Sequence, residues 1–204
     1  MNDEYQALVA KVGAFTSAAF TRSGSHMACA RGCDSCCLVW LSLNQVEAAE
    51  LQSALSELPA STRARIAERG VRERAREAAS TRDRDPSASA SEPARCAMLE
   101  DTGDCAVYER RPLVCRTQGY ALRYPAGFIP AAAVRARNPT GEVTHCPLNF
   151  TTGAPSREDV LDAERVDQIL AIVNQRFSQA RGLDPQARHA IHTLAADCAL
   201  DVSK

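Results

Sequence analysis

The chain has 204 residues, of which 45% are hydrophobic and 5% aromatic, and 24 Lys and Arg against 25 Asp and Glu leave a formal net charge of -1. This length and apolar share are enough for a folded domain, whereas the near-neutral charge excludes a global attraction to nucleic acid or to an anionic membrane, so we expect neither as a partner. The acidic N-terminus is unlike a secretory signal and no stretch reaches the ~18 apolar residues of a membrane span, which predicts a cytoplasmic protein.

The composition predicts a mainly α fold, a small irregular helical domain over residues 1–204 with a loop-rich cysteine core. Many alanines and few aromatic residues favour closely packed helices over a sheet sandwich. The first helix should follow Asp3, because apolar residues then recur at helical spacing. Its predicted apolar face consists of Tyr5, Leu8, Val9, Val12, Phe15, Ala19 and Phe20.

Two further helices are predicted before the middle of the chain. Asn44 and Glu47 have the spacing of a capping box, and the helix that they open should end at Pro59. From Thr62 to about Ala79 the chain is helix-prone and rich in arginine, with glutamates between the arginines. We interpret this stretch as a solvated, ion-paired helix; a nucleic-acid surface is the alternative, but no aromatic residue is present for base stacking.

The second half contains more irregular structure. Residues 81–95 are too polar to pack and predict a flexible segment, which interrupts a cysteine-containing core of about residues 29–150. Prolines and glycines in residues 121–150 predict loops with a short strand or β-hairpin. Capping patterns at Ser156 and at Asp184 predict two helices in a helical C-terminal part, residues 156–200, with a stop at Gly182 between them.

Eight of the nine cysteines form two groups along the chain. In a reducing compartment such thiols are expected to be metal ligands or redox groups rather than disulfides. The two residues between Cys33 and Cys36 allow a tight turn that aims both sulfurs at one ion. Adjacent Cys36 and Cys37 point in different directions, so the spacing leaves open two four-sulfur sites, or one site and additional free thiols. The candidate metal ligands are Cys29, Cys33, Cys36, Cys37, Cys96, Cys105, Cys115 and Cys146.

Basic residues follow the second group of cysteines. Arg110, Arg111 and Arg116 are candidates to contact a cofactor, because four thiolates around Zn²⁺ or an oxidised four-iron cluster leave about two negative charges. The alternative is that these arginines form surface ion pairs. Pro112 should begin a helix and place Cys115 near its N-terminal end, where the helix dipole favours thiolate.

Three other residues are weaker candidates for metal ligands. His26 and His145 lie close to cysteines and could replace a sulfur, although a hydrogen-bonding or exposed histidine is the favoured interpretation. Cys198 shares a predicted helix face with Ile191 and Leu194, which indicates a small buried side chain instead of a ligand. No Ser/His/Asp arrangement, phosphate-binding glycine loop or HExxH helix is evident, so no residue is assigned a catalytic role.

Two motifs and a Cys-Pro pair carry a family resemblance. The motifs are CARGCDSCC at residues 29–37 and VYERRPLVCR at residues 107–116, and the pair is Cys146-Pro147. Together they resemble the YkgJ-type cysteine cluster family, the CxxCxxCC zinc- or iron-chelating domain. The resemblance implies that all eight grouped cysteines chelate metal, and it implies no common reaction. The first cysteine interval has three residues where the family's name has two, and Ala97 stands where a proline often follows the cysteine.

Two functions are compatible with these residues. A related cysteine module in flagellin lysine methylases is linked to an iron–sulfur cluster, which favours an iron–sulfur protein with a 4Fe–4S cluster. Such a protein would act in electron transfer or in a redox or group-transfer enzyme, together with a redox or protein partner. The alternative is a structural zinc site in an adaptor or interaction protein, where metal binding supplies folding free energy.

Overall fold

The structure, a computed structural model, describes residues 2–30, 32–82, 94–125 and 143–199. Its mainly α character confirms the predicted fold class. The α-helices are α1 (Asp3–Ser23), α2 (Gln45–Ser56), α3 (Ala60–Arg82), α4 (Leu113–Thr117), α5 (Ala163–Gln179) and α6 (Ile191–Asp197). The strands are β1 (Ser42–Leu43), β2 (Ala121–Arg123), β3 (Val143–Thr144), β4 (Val160–Asp162) and β5 (His189–Ala190). Of the described helices, none combines the length and the apolar character that crossing a membrane requires.

Helix α1 begins one residue earlier than its predicted cap implies. The side-chain oxygen of Asn2, rather than that of Asp3, accepts a hydrogen bond from the Tyr5 amide at 2.9 Å. The predicted apolar face is largely buried, and Phe20 is the exception with 43% of its surface exposed. Its ring lies against Gly24, because the chain turns into a short 3-10 helix there instead of continuing over the core.

Helix α2 connects three parts of the fold. The predicted capping box is confirmed, since the Glu47 amide donates to the Asn44 side chain at 3.0 Å. The Glu50 carboxylate accepts from the Asn2 amide at 2.6 Å and holds the start of α1. The Glu47 carboxylate accepts from the Leu113 amide at 3.0 Å and holds the start of α4. A single helix therefore positions both elements through buried acceptors.

The predicted arginine-rich helix is present as α3, and several of its arginines have partners. Buried Arg69 donates to the Ala97 carbonyl at 2.9 Å and to Glu100 at 2.8 Å. Arg76 pairs with Glu73 at 2.6 Å. The ion pairs agree with the interpretation as an ion-paired helix, but this face of α3 is not solvated, because Arg69 and Glu73 are buried against neighbouring segments. On its other side α3 packs closely against α6.

Two predicted helices begin later than their sequence patterns indicate. Residues 160–162 form β4, which pairs in parallel with β2, so α5 starts at Ala163 with Asp162 as its cap instead of near Ser156. The last helix starts at Ile191 rather than at Asp184, because the two residues before it pair with β1. In both places strand pairing prevails over the local capping signal.

The remaining predictions concern the loop-rich region and the stop after α5. Strands β2 and β3 pair antiparallel, as the expected short strand pair requires. Gly182 has φ +64° just beyond the end of α5, which confirms the predicted stop. Residues 81 and 82 belong to α3, whereas residues 83–93 of the predicted flexible segment lie outside the described residues.

Close packing at Gly70 should make this position intolerant of a side chain. A Cβ atom there would lie 2.4 Å from the Ala196 amide nitrogen and 2.7 Å from the His192 carbonyl oxygen. We expect Gly70→Ala to lower the free energy of unfolding by about 1–3 kcal/mol, despite its better helix propensity. Gly13→Ala is the matched control, since nothing lies within 4 Å of its Cβ position, and it should stabilise by up to about 1 kcal/mol. Equal effects in urea denaturation would contradict this packing.

The buried carboxyl of Glu47 should make stability depend on pH. Burial raises its pKa from 4.5 to about 7, so the folded protein holds a proton that the unfolded chain has released. The linked stability is present below the unfolded pKa and is lost as the pH rises through about 7. The Glu47→Gln variant does not lose this proton-linked stability. The difference in free energy of unfolding, variant minus unsubstituted protein, should therefore be larger at pH 8 than at pH 4.5 by about 1–3 kcal/mol. The free energy of unfolding of both proteins is measured by chemical denaturation at several pH values. If the two free energies changed in parallel with pH, this effect would be excluded.

Candidate metal centre

The eight grouped cysteines come from four places in the fold. Those of the first motif lie between α1 and β1, two others flank a turn before α4, Cys115 lies in α4, and Cys146 follows β3. All eight are partly buried. The candidate ligands therefore belong to the protein interior rather than to an exposed tail.

The first motif forms consecutive tight turns. The Cys33 amide donates to the Ala30 carbonyl at 3.1 Å, and the Cys37 amide donates to the Asp34 carbonyl at 2.7 Å. Residues Ser35–Cys37 form a short 3-10 helix. These turns have the local geometry that the spacing of Cys33 and Cys36 predicts.

The second group of cysteines folds against the first. Residues 101–104 form a turn, and Leu99 and Cys105 pair across it. Gly103, with φ +83°, packs so closely that a Cβ would lie 3.0 Å from the Gly32 carbonyl oxygen. The Cys96 amide donates to the Cys37 carbonyl at 2.8 Å. Backbone contacts therefore join two segments that are far apart in the sequence.

Six of the candidate cysteines line one cavity of about 60 Å³, which we call the cysteine cavity. Its other walls include the apolar side chains of Leu41 and Met98, the indole of Trp40 and the guanidinium-bearing side chain of Arg111. The six cysteines are Cys33, Cys36, Cys37, Cys96, Cys105 and Cys115. The fold therefore places thiols of both sequence groups around one space.

Four of these thiols influence one another electrostatically. Burial raises the pKa of Cys96 to about 11 and that of Cys115 well above its ordinary value, and neighbouring thiols raise both further. The pKa of Cys36 is raised by a hydrogen bond with Cys37 and then by burial. Burial also raises the pKa of Cys105, partly opposed by the nearby charge of Arg111. Without a cation, the four groups are therefore neutral thiols at neutral pH.

The donor chemistry of the cysteine cavity fits a thiophilic metal. Among the residues that the structure describes, no three Cys, His, Asp or Glu side chains are arranged to hold one metal ion. A bound cation would reverse the balance that burial sets, because it stabilises thiolate directly. Thiols grouped around one apolar-walled space are the donors that zinc, iron or an iron–sulfur cluster requires.

Cys29 and Cys146 are brought together by a polar contact that the sequence analysis did not identify. The Asn149 side chain, 1% exposed, donates to the Cys29 sulfur at 3.1 Å and to the Gly119 carbonyl at 2.7 Å. The Cys146 amide also donates to that carbonyl, at 3.3 Å. Gly119 has φ +92°, and a Cβ there would lie 2.6 Å from the Cys29 sulfur and 3.9 Å from the Cys146 Cβ. The only sequence signal was the position of Asn149, three residues after Cys146.

The three candidate arginines have different surroundings. Arg111 lines the cysteine cavity, and its guanidinium lies 3.7 Å from the centre of the Tyr108 ring. Arg116 donates to the backbone carbonyls of Arg111, at 2.7 Å, and of Glu109. Arg110 forms an ion pair with Glu57 at 3.0 Å. Arg111 therefore lies at the cavity, and Arg116 contacts the backbone of the segment that carries Arg111. Arg110 instead forms an ion pair with Glu57.

The histidines and the ninth cysteine have other contacts. His145 Nδ1 lies 3.0 Å from the Cys146 carbonyl, and the His26 carbonyl accepts from the Phe150 amide at 2.7 Å. Cys198 donates to the Arg63 carbonyl at 3.5 Å and packs with the core of α6. His192, which the sequence analysis did not consider, is 3% exposed, lines the cysteine cavity and lies 3.0 Å from Glu77. Its position in an apolar stretch gave no signal of this placement.

Comparison with known proteins identifies the family of this cysteine region. Residues 28–140 match the family model CxxCxxCC, described as "Putative zinc- or iron-chelating domain". No curated protein matches the chain, and neither does any solved structure. The match contains every candidate cysteine except Cys146, and its description supports binding of a metal. Because the match spans more than half of the 204 residues, the chain belongs to the CxxCxxCC family of metal-chelating domains.

Proposed function

We propose that this metal-binding protein is a cytoplasmic iron–sulfur protein that carries a 4Fe–4S cluster. It would act in electron transfer or as a component of a redox or group-transfer enzyme. The observation that carries this proposal is the arrangement of six thiols around the cysteine cavity, more than the four that a tetrahedral zinc site uses. When bound, an iron–sulfur cluster supplies one-electron chemistry.

The proposed ligands of the cluster are the four electrostatically coupled thiols. Each pair among Cys36, Cys96, Cys105 and Cys115 is close enough for one thiol to raise the pKa of the other, in addition to the effect of burial. Four thiolates are the usual protein ligands of a 4Fe–4S cluster.

The other four grouped cysteines are proposed to serve a second site. Burial raises the pKa of Cys29, and the thiols of Cys146 and Cys33 add to that effect. Cys37, which forms a hydrogen bond with Cys36, is the fourth of these cysteines. A second metal held by Cys29, Cys146 and thiols of the first motif would use the remaining sulfurs that the family resemblance implies.

Nearby residues can stabilise the charge of such a centre. Arg111 is the positive group at the cavity wall, and Arg116 fixes its backbone through two carbonyl contacts. Leu41 and Met98 provide apolar walls that limit access of water. Charge, hydrogen bonding and solvent exposure are the means by which proteins adjust cluster potentials.

Structural zinc in an adaptor or interaction protein is the second candidate function. The observation that favours it is the joining of separate elements by the cysteine segments, for example the Cys96 amide to the Cys37 carbonyl at 2.8 Å. Structural zinc sites connect segments in this way and supply folding free energy. The two candidates differ in metal content and in optical absorption.

Anaerobic purification should distinguish the two candidates. We expect brown protein with about four iron and four acid-labile sulfide per cluster, and a Mössbauer spectrum typical of 4Fe–4S. Cys36→Ser and Cys115→Ser should each lose most of this iron because they remove proposed ligands. Cys198→Ser is the matched control outside the cavity and should retain it. Colourless protein with stoichiometric zinc would refute the iron–sulfur proposal and support the alternative.

Gly119→Ala should disturb the second site specifically. Its Cβ would displace the Cys29 sulfur, so we expect metal affinity at this site to fall about 10–100-fold and Cys29 to become reactive towards iodoacetamide. Gly182→Ala is the control, because it also has positive φ but has nothing within 4 Å of its Cβ position. Mass spectrometry of alkylated, metal-loaded protein measures the difference. Equal protection of Cys29 in both variants would argue against a metal at Cys29.

A further inference from the structure

A second, larger cavity lies on the other side of α4. Its volume is about 640 Å³, within the range of small-molecule binding sites. Residues of α2, α4, β2 and α5 and of the segment before β5 surround it. We call it the α4–α5 cleft. Nothing in the family description refers to this part of the fold, much of which lies beyond residue 140.

The cleft and the cysteine cavity share a wall. Trp40, Leu41 and Gln118 line both spaces. Gln118 directly follows α4, the helix that carries Cys115. A molecule in the cleft would therefore lie beside the proposed metal centre and not at a remote surface.

One part of the cleft wall is apolar and aromatic. Leu113, Leu122 and Leu161 are buried side chains of three different elements, and Leu170 extends the same surface from α5. The Tyr124 ring follows directly after β2. This surface suits a branched alkyl group.

The cleft also contains two opposite charges that do not pair with each other. Asp167 of α5 forms no hydrogen bond or ion pair with any residue that the structure describes. Arg188 donates through Nη2 to the Ser42 carbonyl at 2.6 Å and through Nε to the Ser42 hydroxyl at 3.4 Å, and within the described chain Nη1 makes no hydrogen bond. Asp167 and Arg188 are both exposed side chains in the lining of the cleft, and the charge of Arg188 lowers the pKa of Asp167 against a larger rise from desolvation, so the two groups lie near each other.

The third charged group is already engaged by the fold. Glu47 accepts from the Leu113 amide at 3.0 Å, and hydrogen bonding to the Asn44 backbone further offsets its burial. It is therefore a structural residue rather than a group available to a ligand. Two charged side chains of the cleft, the carboxylate of Asp167 and the guanidinium of Arg188, can therefore contact a ligand next to the apolar wall.

We propose that the α4–α5 cleft binds a small zwitterion with an apolar body, namely an apolar amino acid or a short apolar peptide. Its ammonium group pairs with Asp167, where the Tyr124 ring adds a favourable face for a cation. Its carboxylate pairs with Arg188, whose planar guanidinium suits a carboxylate. Its alkyl side chain packs on the leucine wall.

Direct binding measurements test this proposal with defined probes. L-leucine and leucyl-leucine are titrated into the full-length, metal-loaded protein by calorimetry, with N-acetyl-leucine amide as the uncharged analogue. We expect at least one zwitterion to bind with a Kd of about 1 mM or tighter, and the uncharged analogue to bind about tenfold or more weakly. Failure of both zwitterions to bind, or equal binding of the blocked analogue, would overturn the proposal.

Three variants locate the site. Asp167→Asn and Arg188→Gln should each weaken binding about tenfold, because each removes one charged partner. Ala171→Trp fills the cleft from an exposed position and should abolish binding while both charges remain. Glu164→Gln, on the same helix outside the cleft, is the control and should bind as the unsubstituted protein does. If all four variants bound the probe as the unsubstituted protein does, the probe would occupy a different site and the proposal would be wrong.

The outcome is independent of the iron–sulfur proposal. Metal content is measured on every sample, so a protein that binds the probes but carries zinc refutes only the iron–sulfur proposal. A protein that carries iron and sulfide but fails with the probes refutes only the zwitterion site. Because Arg188 also contacts β1, its variant is checked by circular dichroism, and Ala171→Trp decides the result if that variant is unfolded.

Discussion

The arrangement of the proposed site depends on the contact between two cysteine-bearing segments that are far apart in the sequence. The Cys96 amide donates to the Cys37 carbonyl, and the close approach of Gly103 to Gly32 allows the turn after Cys96 to lie against the first motif. Both contacts join backbone atoms, so they fix the two segments relative to each other without using a cysteine side chain. The backbone therefore brings the thiols towards one space, which leaves the ordering of their side chains to a bound metal. This reduces the entropy that a bound ion must offset.

Burial of the thiols and binding of a cation have opposite effects on the same groups. Burial raises the pKa of Cys96 and Cys115, so each cysteine resists ionisation as long as no positive charge is near. A metal or cluster supplies that charge, and Arg111 adds a smaller positive contribution at the cavity wall. The same apolar surroundings that disfavour free thiolate strengthen its attraction to a cation, because little water is present to screen it. The same partly buried position of the thiols therefore disfavours free thiolate and favours thiolate that is bound to a cation.

The sequence revealed those parts of the fold and site that depend on neighbouring residues. The capping box of Asn44 and Glu47 and the tight turns around Cys33 are local, and the structure contains both. Contacts over long sequence separations could not be predicted in this way. Asn149 contacts Cys29 across 120 positions, and the later start of α5 results from pairing of β4 with β2, which no capping pattern encodes. His192 was missed for the same reason, since only the packing of α6 places it at the cavity.

The short helix α4 connects the metal centre with the α4–α5 cleft. It has only five residues, so its internal hydrogen bonds are few and its position depends on neighbouring elements. Glu47 holds its first amide, and the Thr117 hydroxyl donates to the Leu113 carbonyl at 3.2 Å within the helix. Cys115 faces the cysteine cavity, whereas Val114 and Thr117 face the cleft. A ligand in the cleft would therefore contact the same short helix that carries Cys115, and the two cavities are physically connected through it.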